Sequence, residues 1–239
     1  MLELIKDPKT IIFAILGGAL PAIFWLWFWL KEEDEAPTEP TGLIILSFIL
    51  GGIMVMLAIW VERYSLNYIL DSNTQVVAWA AIEEVLKMLG VFIILKSSNI
   101  IKKPIDYPMY FIAVALGFAA VENVLYLLQP LSVNGTIVGL LTGNLRFLGS
   151  TLLHAIASSM IGSALGMSFY IKRYQGLYLV YGLICAIVLH SMFNFFIMKG
   201  SGENFLSVFG LLWVVAIISI LIFEKLKRMG NYVVPVTQN

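Results

Sequence analysis

The stretch AAIEEVLKMLG, residues 80–90, places two glutamates and one lysine in the middle of an otherwise apolar run. They are Glu83, Glu84 and Lys87, and the run itself extends over residues 75–95. About 20 mostly apolar residues are enough for a helix to cross the hydrocarbon core of a bilayer. Ionisable side chains at that depth are costly, and they usually face the interior of a helix bundle. The stretch therefore predicts a membrane helix with a buried polar face.

The rest of the chain has the composition of a membrane protein. Of its 239 residues, 60% are hydrophobic and 13% are charged, whereas soluble domains are about 45–50% apolar. Residues 1–239 are therefore expected to form a single integral membrane domain with an all-α fold, a polytopic transmembrane helical bundle of about seven spans. The expected spans are Ile11–Leu30, Leu43–Val61, Gln75–Leu95, Pro108–Leu128, Arg146–Ile171, Leu177–Met198 and Phe205–Phe223. The segment between the fourth and fifth spans stays unassigned.

The charge balance bears on partners and location. The chain has 15 Lys and Arg against 15 Asp and Glu, with no basic block, so we expect no nucleic-acid partner. The lipid bilayer is the expected environment, and the location is the cell membrane as a multi-pass protein. Lysine and arginine are more frequent in the loops on one side of the seven-span arrangement. The positive-inside rule places that side and the C-terminus in the cytoplasm.

Three later spans carry polar residues at a depth that matches the first stretch. They are Glu122 and Asn123 in GFAAVENVLYLL, His154 in TLLHAIASSMIG, and His190 and Asn194 in LHSMFNFF. With a rise of 1.5 Å per residue, Glu83 lies roughly 12 Å into its span and Glu122 roughly 9 Å from the end of the next. His154 and His190 lie at a similar depth, roughly 12 Å from the same side. Four consecutive spans therefore bring polar groups to one layer.

The spacing on each helix also predicts which groups meet. Residues four apart share a helix face, which pairs Glu83 with Lys87 and Glu122 with Tyr126. Glu84 is turned about 100° from Glu83, so the two carboxylates need not serve the same role. Glu84 is also close enough to Lys87 to form an ion pair.

These segments resemble the PrsW family of intramembrane proteases, in the clan that includes CAAX prenyl proteases. EEVLK is similar to the family's EExxK motif, FAAVEN to its FAxxEN motif, His154 to its third-motif histidine, and HSMFN to the clan's HxxxN. The resemblance covers a catalytic core of about residues 75–198. It implies a glutamic-type protease acting on a membrane-anchored protein, and it links the chain to cleavage of an anti-sigma factor in envelope-stress signalling.

Peptide hydrolysis needs an activated water and donors for the developing oxyanion. We expect Glu83 to be the general base, with Glu122 or His154 holding the water. His190 and Asn194 are the expected oxyanion donors. Glu84 is assigned to the catalytic group as the partner of Lys87. The supporting residues are Lys87, Asn123 and Tyr126.

Two alternatives remain open from the sequence. Glu83, Glu122, His154 and His190 are candidate ligands of zinc, although the HExxH pattern of many zinc proteases does not occur, so hydrolysis without a cofactor is preferred. Buried carboxylates and histidines also build proton relays in transporters and channels. That alternative would predict flux of protons without any cleaved peptide.

Overall fold

The computed structural model of the chain describes residues 8–32, 40–96, 100–134, 136–199 and 205–231. These ranges contain seven α-helices, one short 3₁₀ turn at Lys172–Tyr174 and no β-strand. The predicted all-α fold is therefore confirmed. The helices are α1 (Pro8–Glu32), α2 (Thr41–Ser65), α3 (Ser72–Leu95), α4 (Asp106–Asn134), α5 (Thr136–Met167), α6 (Gln175–Lys199) and α7 (Phe205–Asn231).

The unassigned segment after the fourth predicted span is helical on both sides of residue 135. The backbone of α4 continues to Asn134, and α5 begins at Thr136 rather than at Arg146. Polar and glycine residues in this segment are typical of a loop, but backbone groups close to a bilayer are best satisfied inside a helix. Helix α7 likewise continues beyond Phe223 to Asn231.

Six of the described helices are long and apolar enough to cross a membrane, which agrees with a multi-pass membrane protein. Helix α3 is the exception among the seven. It has 24 residues and the length of a span, but it carries Glu83, Glu84 and Lys87 near its middle. The three charged residues that set α3 apart are therefore the ones from which the site is predicted.

Helix α4 forms the centre of the bundle. Every residue from Tyr110 to Leu116 is fully buried, and α4 packs most extensively against α5, α1 and α2. The outer helices expose large apolar side chains instead, including Leu46 and Ile53 on α2 and Ile217 on α7. Exposed apolar side chains in this number are expected where a helix faces lipid.

The start of α3 fixes the depth of the polar stretch. Asp71 caps the helix, because its carboxylate accepts a hydrogen bond from the Thr74 backbone N–H at 2.8 Å. About two turns after the cap, the Trp79 indole N–H donates to the Ser65 hydroxyl of α2 at 3.3 Å. The bond from Trp79 ties α3 to α2 at this end. The position of Glu83 along the bundle then follows from the number of helical turns after the cap.

Helices α2 and α4 cross in backbone contact at two glycines. A Cβ added to Gly51 would overlap the Val114 carbonyl oxygen, and one added to Gly117 would overlap the Phe48 carbonyl oxygen. Small residues at such crossings let membrane helices approach closely. The crossing holds α2 next to the helix that carries Glu122.

Gly51→Ala should therefore destabilise the fold, because the added methyl group meets a backbone carbonyl that cannot rotate away. Overpacking typically costs about 1–3 kcal/mol, which should lower the apparent melting temperature in detergent by several degrees. Gly42→Ala is the matched control, since no described atom outside its own helix lies within 4 Å of a Cβ there. Equal melting temperatures for the two variants would contradict the close crossing.

Candidate active site

Lys87 lies at the centre of the buried polar cluster. Its ammonium nitrogen lies 2.8 Å from Glu84 Oε1, 2.7 Å from His154 Nδ1 and 3.5 Å from Glu83 Oε2. The Lys87 side chain is fully buried, and its ammonium also sits 4.5 Å from the centre of the Phe118 ring. The pairing of Glu84 with Lys87 is the one that their spacing predicts. One cation thus holds together residues from three helices.

Glu84 is the most completely bonded carboxylate of the cluster. Its Oε1 accepts from Lys87 and lies 2.8 Å from His190 Nδ1, while its Oε2 accepts from the Ser158 hydroxyl at 2.9 Å. The side chain has no exposed surface. A carboxylate held by groups on α3, α5 and α6 is well placed to orient its neighbours.

The contact with Glu84 determines which nitrogen of His190 points at the site. An ionised carboxylate only accepts hydrogen bonds, so His190 Nδ1 carries the proton that it donates to Glu84. A neutral His190 therefore presents the lone pair of Nε2, which lies 3.8 Å from Glu83 Oε2. Histidines that bind metals are commonly oriented by a carboxylate in this manner.

His154 has a partner on each ring nitrogen. An ammonium group only donates, so Nδ1 accepts from Lys87, and the proton of the neutral ring lies on Nε2. That nitrogen donates to Glu122 Oε2 at 2.7 Å. The His154 and His190 rings are nearly perpendicular, with 5.0 Å between their centroids.

Glu83 lies where these contacts converge. Its Oε2 is 3.9 Å from His154 Nδ1 and 3.8 Å from His190 Nε2. Within the described part of the chain, its side chain accepts one hydrogen bond, the long one from Lys87 at 3.5 Å. The residue is 6% exposed. Glu83 therefore keeps lone pairs that are not committed to neighbours, whereas both oxygens of Glu84 are engaged.

Glu83, His154 and His190 also form a group that fits a metal ion. One potential ligand atom from each lies within 4.8 Å of the others. Two histidines and a glutamate are a known ligand set of catalytic zinc, with bonds of about 2.0–2.2 Å. The separations of 3.8 and 3.9 Å are slightly wider than the about 3.4 Å between two ligands of a tetrahedral ion. A metal bound to His154 Nδ1 would replace the hydrogen bond from Lys87, because both need the same lone pair.

A cleft of about 210 Å³ leads to this cluster between α2, α3 and α4. Apolar side chains and three carboxylates line it. The residues are Val55, Ala58, Ile59 and Glu62 of α2, Glu83 of α3, and Phe118, Glu122, Leu125 and Tyr126 of α4. A substrate in this cleft would reach Glu83 and Glu122 directly.

The remaining predicted residues lie around the cluster rather than in its centre. Asn123 is buried and donates to the Thr151 hydroxyl of α5 at 2.9 Å. Tyr126 is 45% exposed and lines the cleft. Asn194 is half-buried one turn after His190, and within the described ranges its side chain forms no hydrogen bond with the cluster. The catalytic roles of all these residues stay predictions.

One of the three carboxylates that line the cleft is absent from the site predicted from the sequence. Glu62 follows directly after Val61, at which the second predicted span ends, so its position in the sequence is that of a loop residue. The structure extends α2 to Ser65 and places Glu62 in the wall of the cleft. From the sequence, Glu62 would have been included only by a helix prediction that continued past the apolar run.

Comparison with known proteins finds one family of membrane proteases. The model of the PrsW family, described as intramembrane metalloproteases, matches residues 39–222. A protein named Protease PrsW from Geobacillus kaustophilus is 26% identical over 232 residues, which cover 92% of this chain and 94% of that protein. Its namesake from Oceanobacillus iheyensis is 28% identical over 225 residues, covering 90% and 95%. The Bacillus subtilis namesake is 26% identical over 190 residues, covering 77% and 83%. No solved structure matches the chain significantly.

Lys87→Met should destabilise the protein strongly, because it leaves the fully buried carboxylate of Glu84 without its cation. Breaking a buried pair by removing one partner typically costs about 3–5 kcal/mol. Thermal unfolding in detergent is the measurement.

Lys227→Met provides the control for this variant. Lys227 pairs with Glu224 at 3.2 Å at the more exposed end of α7, where an ion pair contributes only about 0–1 kcal/mol. If Lys87→Met melts no lower than Lys227→Met, the buried pair does not carry the stability assigned to it.

Proposed function

The chain belongs to the PrsW family of intramembrane proteases. On this basis we propose that it hydrolyses a peptide bond of a membrane-anchored protein, with Glu83 as the central catalytic residue. The observation that carries the proposal is the convergence of Glu83, His154 and His190, of which Glu83 lines a cleft. The resemblance of the motifs favours a single-pass substrate of the anti-sigma-factor kind. Such a substrate would have to unwind locally, because a helix hides its own peptide bonds.

The nucleophile in this proposal is a water molecule beside Glu83. A general base must reach the proton that it removes, and Glu83 is the carboxylate with uncommitted lone pairs on the cleft. The water oxygen attacks the carbonyl carbon while Glu83 takes one proton. Glu83 then gives this proton to the amide nitrogen, the C–N bond breaks, and the products are an amine and a carboxylic acid, which releases its own proton to water.

The developing oxyanion needs a donor on the opposite side of the carbonyl carbon. Asn194 has an amide that makes no hydrogen bond within the described part of the chain, and it lies on the same helix as His190. His190 could donate from Nε2 only in its protonated form, because its neutral form already gives its proton to Glu84. We therefore assign Asn194 as the principal oxyanion donor.

The other buried groups keep this arrangement rigid. Glu84 orients His190, and Lys87 links Glu84 with His154. Glu122 fixes the tautomer of His154 from the side of the cleft. A preorganised site of this kind does not have to reorganise its dipoles during the reaction, which is a large part of enzymatic rate enhancement.

We further propose that Glu83, His154 and His190 hold a divalent metal ion, zinc being the best match to this ligand set. Bound there, the ion would lower the pKa of a water molecule and polarise the scissile carbonyl. The description of the family as metalloproteases supports this version over the cofactor-free one that is preferred from the sequence. Glu83 would be a ligand of the ion in this version and the base in the cofactor-free one, so its loss should stop hydrolysis in both.

Glu83→Gln should lower single-turnover cleavage of a reconstituted membrane substrate by about 10²–10⁴-fold, because an amide cannot accept the proton of water. Its melting temperature should stay close to that of the parent protein. Glu84→Gln is the informative comparison, since it removes the negative charge and one of the two oxygens that accept from Lys87, His190 and Ser158, and it should lose both stability and activity. Normal turnover by Glu83→Gln would remove Glu83 from the chemistry.

Metal content gives an independent test. Purified protein should contain about one zinc ion per chain, and His190→Ala should lose most of it because one of three ligands is gone. Asn194→Ala should keep the metal and yet turn over about 10²–10³-fold more slowly, since only an oxyanion donor is removed. Inductively coupled plasma mass spectrometry measures the first quantity. Full activity in protein stripped of metal would exclude the metal-bound version.

A further inference from the structure

Glu62 is an acidic residue of the cleft that the proposed mechanism does not use. It lies on α2, half-buried, and the wall that it shares with Val55, Ala58 and Ile59 is otherwise apolar. Its carboxylate interacts electrostatically with two charged groups of the site, Glu122, which repels it, and Lys87, which attracts it. Within the described ranges it forms no ion pair and no side-chain hydrogen bond.

The cleft includes Glu62, three residues before the end of α2, and Glu83, eleven residues after the start of α3. Measured along the helix axes, Glu62 lies about 5 Å from the end of α2, and Glu83 lies about 17 Å from the start of α3 at the same side of the bundle. Glu62 therefore stands at the outer part of the cleft and Glu83 at the inner part. A segment that enters from that side passes Glu62 before its peptide bond reaches Glu83.

Acidic side chains outnumber basic ones around the cleft. Four carboxyl groups, those of Glu62, Glu83, Glu84 and Glu122, lie in the cleft wall and the buried cluster behind it. Lys87 lies 2.8 Å from Glu84 and 3.5 Å from Glu83, and in the described ranges no cation lies within ion-pair distance of Glu62. Unpaired charge at membrane depth is costly, and it usually marks a place where a charged partner binds.

We propose that Glu62 selects substrates that carry a lysine or arginine close to the scissile bond. The inference rests on the proposed proteolytic function and adds the class of substrate to it. The cation would pair with Glu62, and its aliphatic stem would lie along Ile59. The exposed ring of Tyr126 offers a further surface for a cationic group on the opposite wall.

The position of Glu62 favours a peptide over other cations as the occupant. An inorganic ion would prefer the inner group, where three ligand atoms lie within 4.8 Å of one another. A peptide segment can instead bridge the distance between the outer carboxylate and Glu83, because its side chain and its carbonyl are held at a fixed separation. Glu62 is then a specificity-determining residue.

The test measures binding with the Glu83→Gln protein, so that cleavage does not deplete the ligand. The ligands are single-pass helices that carry one Lys, Gln or Glu. This residue is moved one position at a time through the half of the ligand helix that lies on the side of Glu62. Binding of each helix is titrated in phosphatidylcholine vesicles by energy transfer. We expect Lys to bind about five- to tenfold more tightly than Gln at one or a few adjacent positions, and Glu to bind more weakly than Gln. Adding Glu62→Gln should remove this order, whereas Glu224→Gln, the same change on α7, should retain it.

Two results would overturn the inference: no preference for Lys at any position, or the same preference after Glu62→Gln. Cleavage of the preferred helix by protein with Glu83 intact is followed in parallel by mass spectrometry. That second readout concerns the proposed function alone. Charge selection without any cleavage would contradict the protease mechanism while leaving the role of Glu62 supported.

Discussion

The ion pair between Lys87 and Glu84 is the constraint on which the rest of the site depends. Both side chains are fully buried, 2.8 Å apart, in a helix that has to sit among apolar neighbours. A charge in such a place is tolerated only when its partners satisfy it, and these partners come from α5 and α6 as His154, Ser158 and His190. The packing of three helices and the orientation of both histidines therefore follow from one requirement of charge compensation.

This dependence explains why so much of the site can be predicted from the sequence. Ionisable residues in apolar runs must meet, and the helical rise places Glu83 and His154 at one depth from residue counts alone. The sequence does not reveal which nitrogen of His190 faces Glu83, because that depends on the side-chain orientation imposed by Glu84. It also does not reveal Glu62, since hydropathy marks where an apolar run ends and a helix can continue beyond it.

The same cluster could serve a proton relay, but its arrangement suits hydrolysis better. The chain belongs to a family of proteases, and it is therefore a protease. In the described bundle the polar groups do not form a continuous row from one side to the other. They surround Lys87, and two of them, Glu83 and Glu122, line one cleft. Helix α2, held against α4 by Gly51 and Gly117, forms the outer wall of that cleft. The close crossing of α2 and α4 thus holds the wall of the cleft in place, and the buried ion pair holds the side chains of the site in place.

Water activated at Glu83 should cleave the peptide bond without a covalent intermediate. The decisive experiment is single-turnover cleavage in water enriched with oxygen-18, followed by intact mass spectrometry of the protease and the fragments. We expect one heavy oxygen in the new carboxylate of the product and none in the protease. A fragment attached to the protease, or heavy oxygen incorporated into one of its glutamate side chains, would contradict direct attack by water.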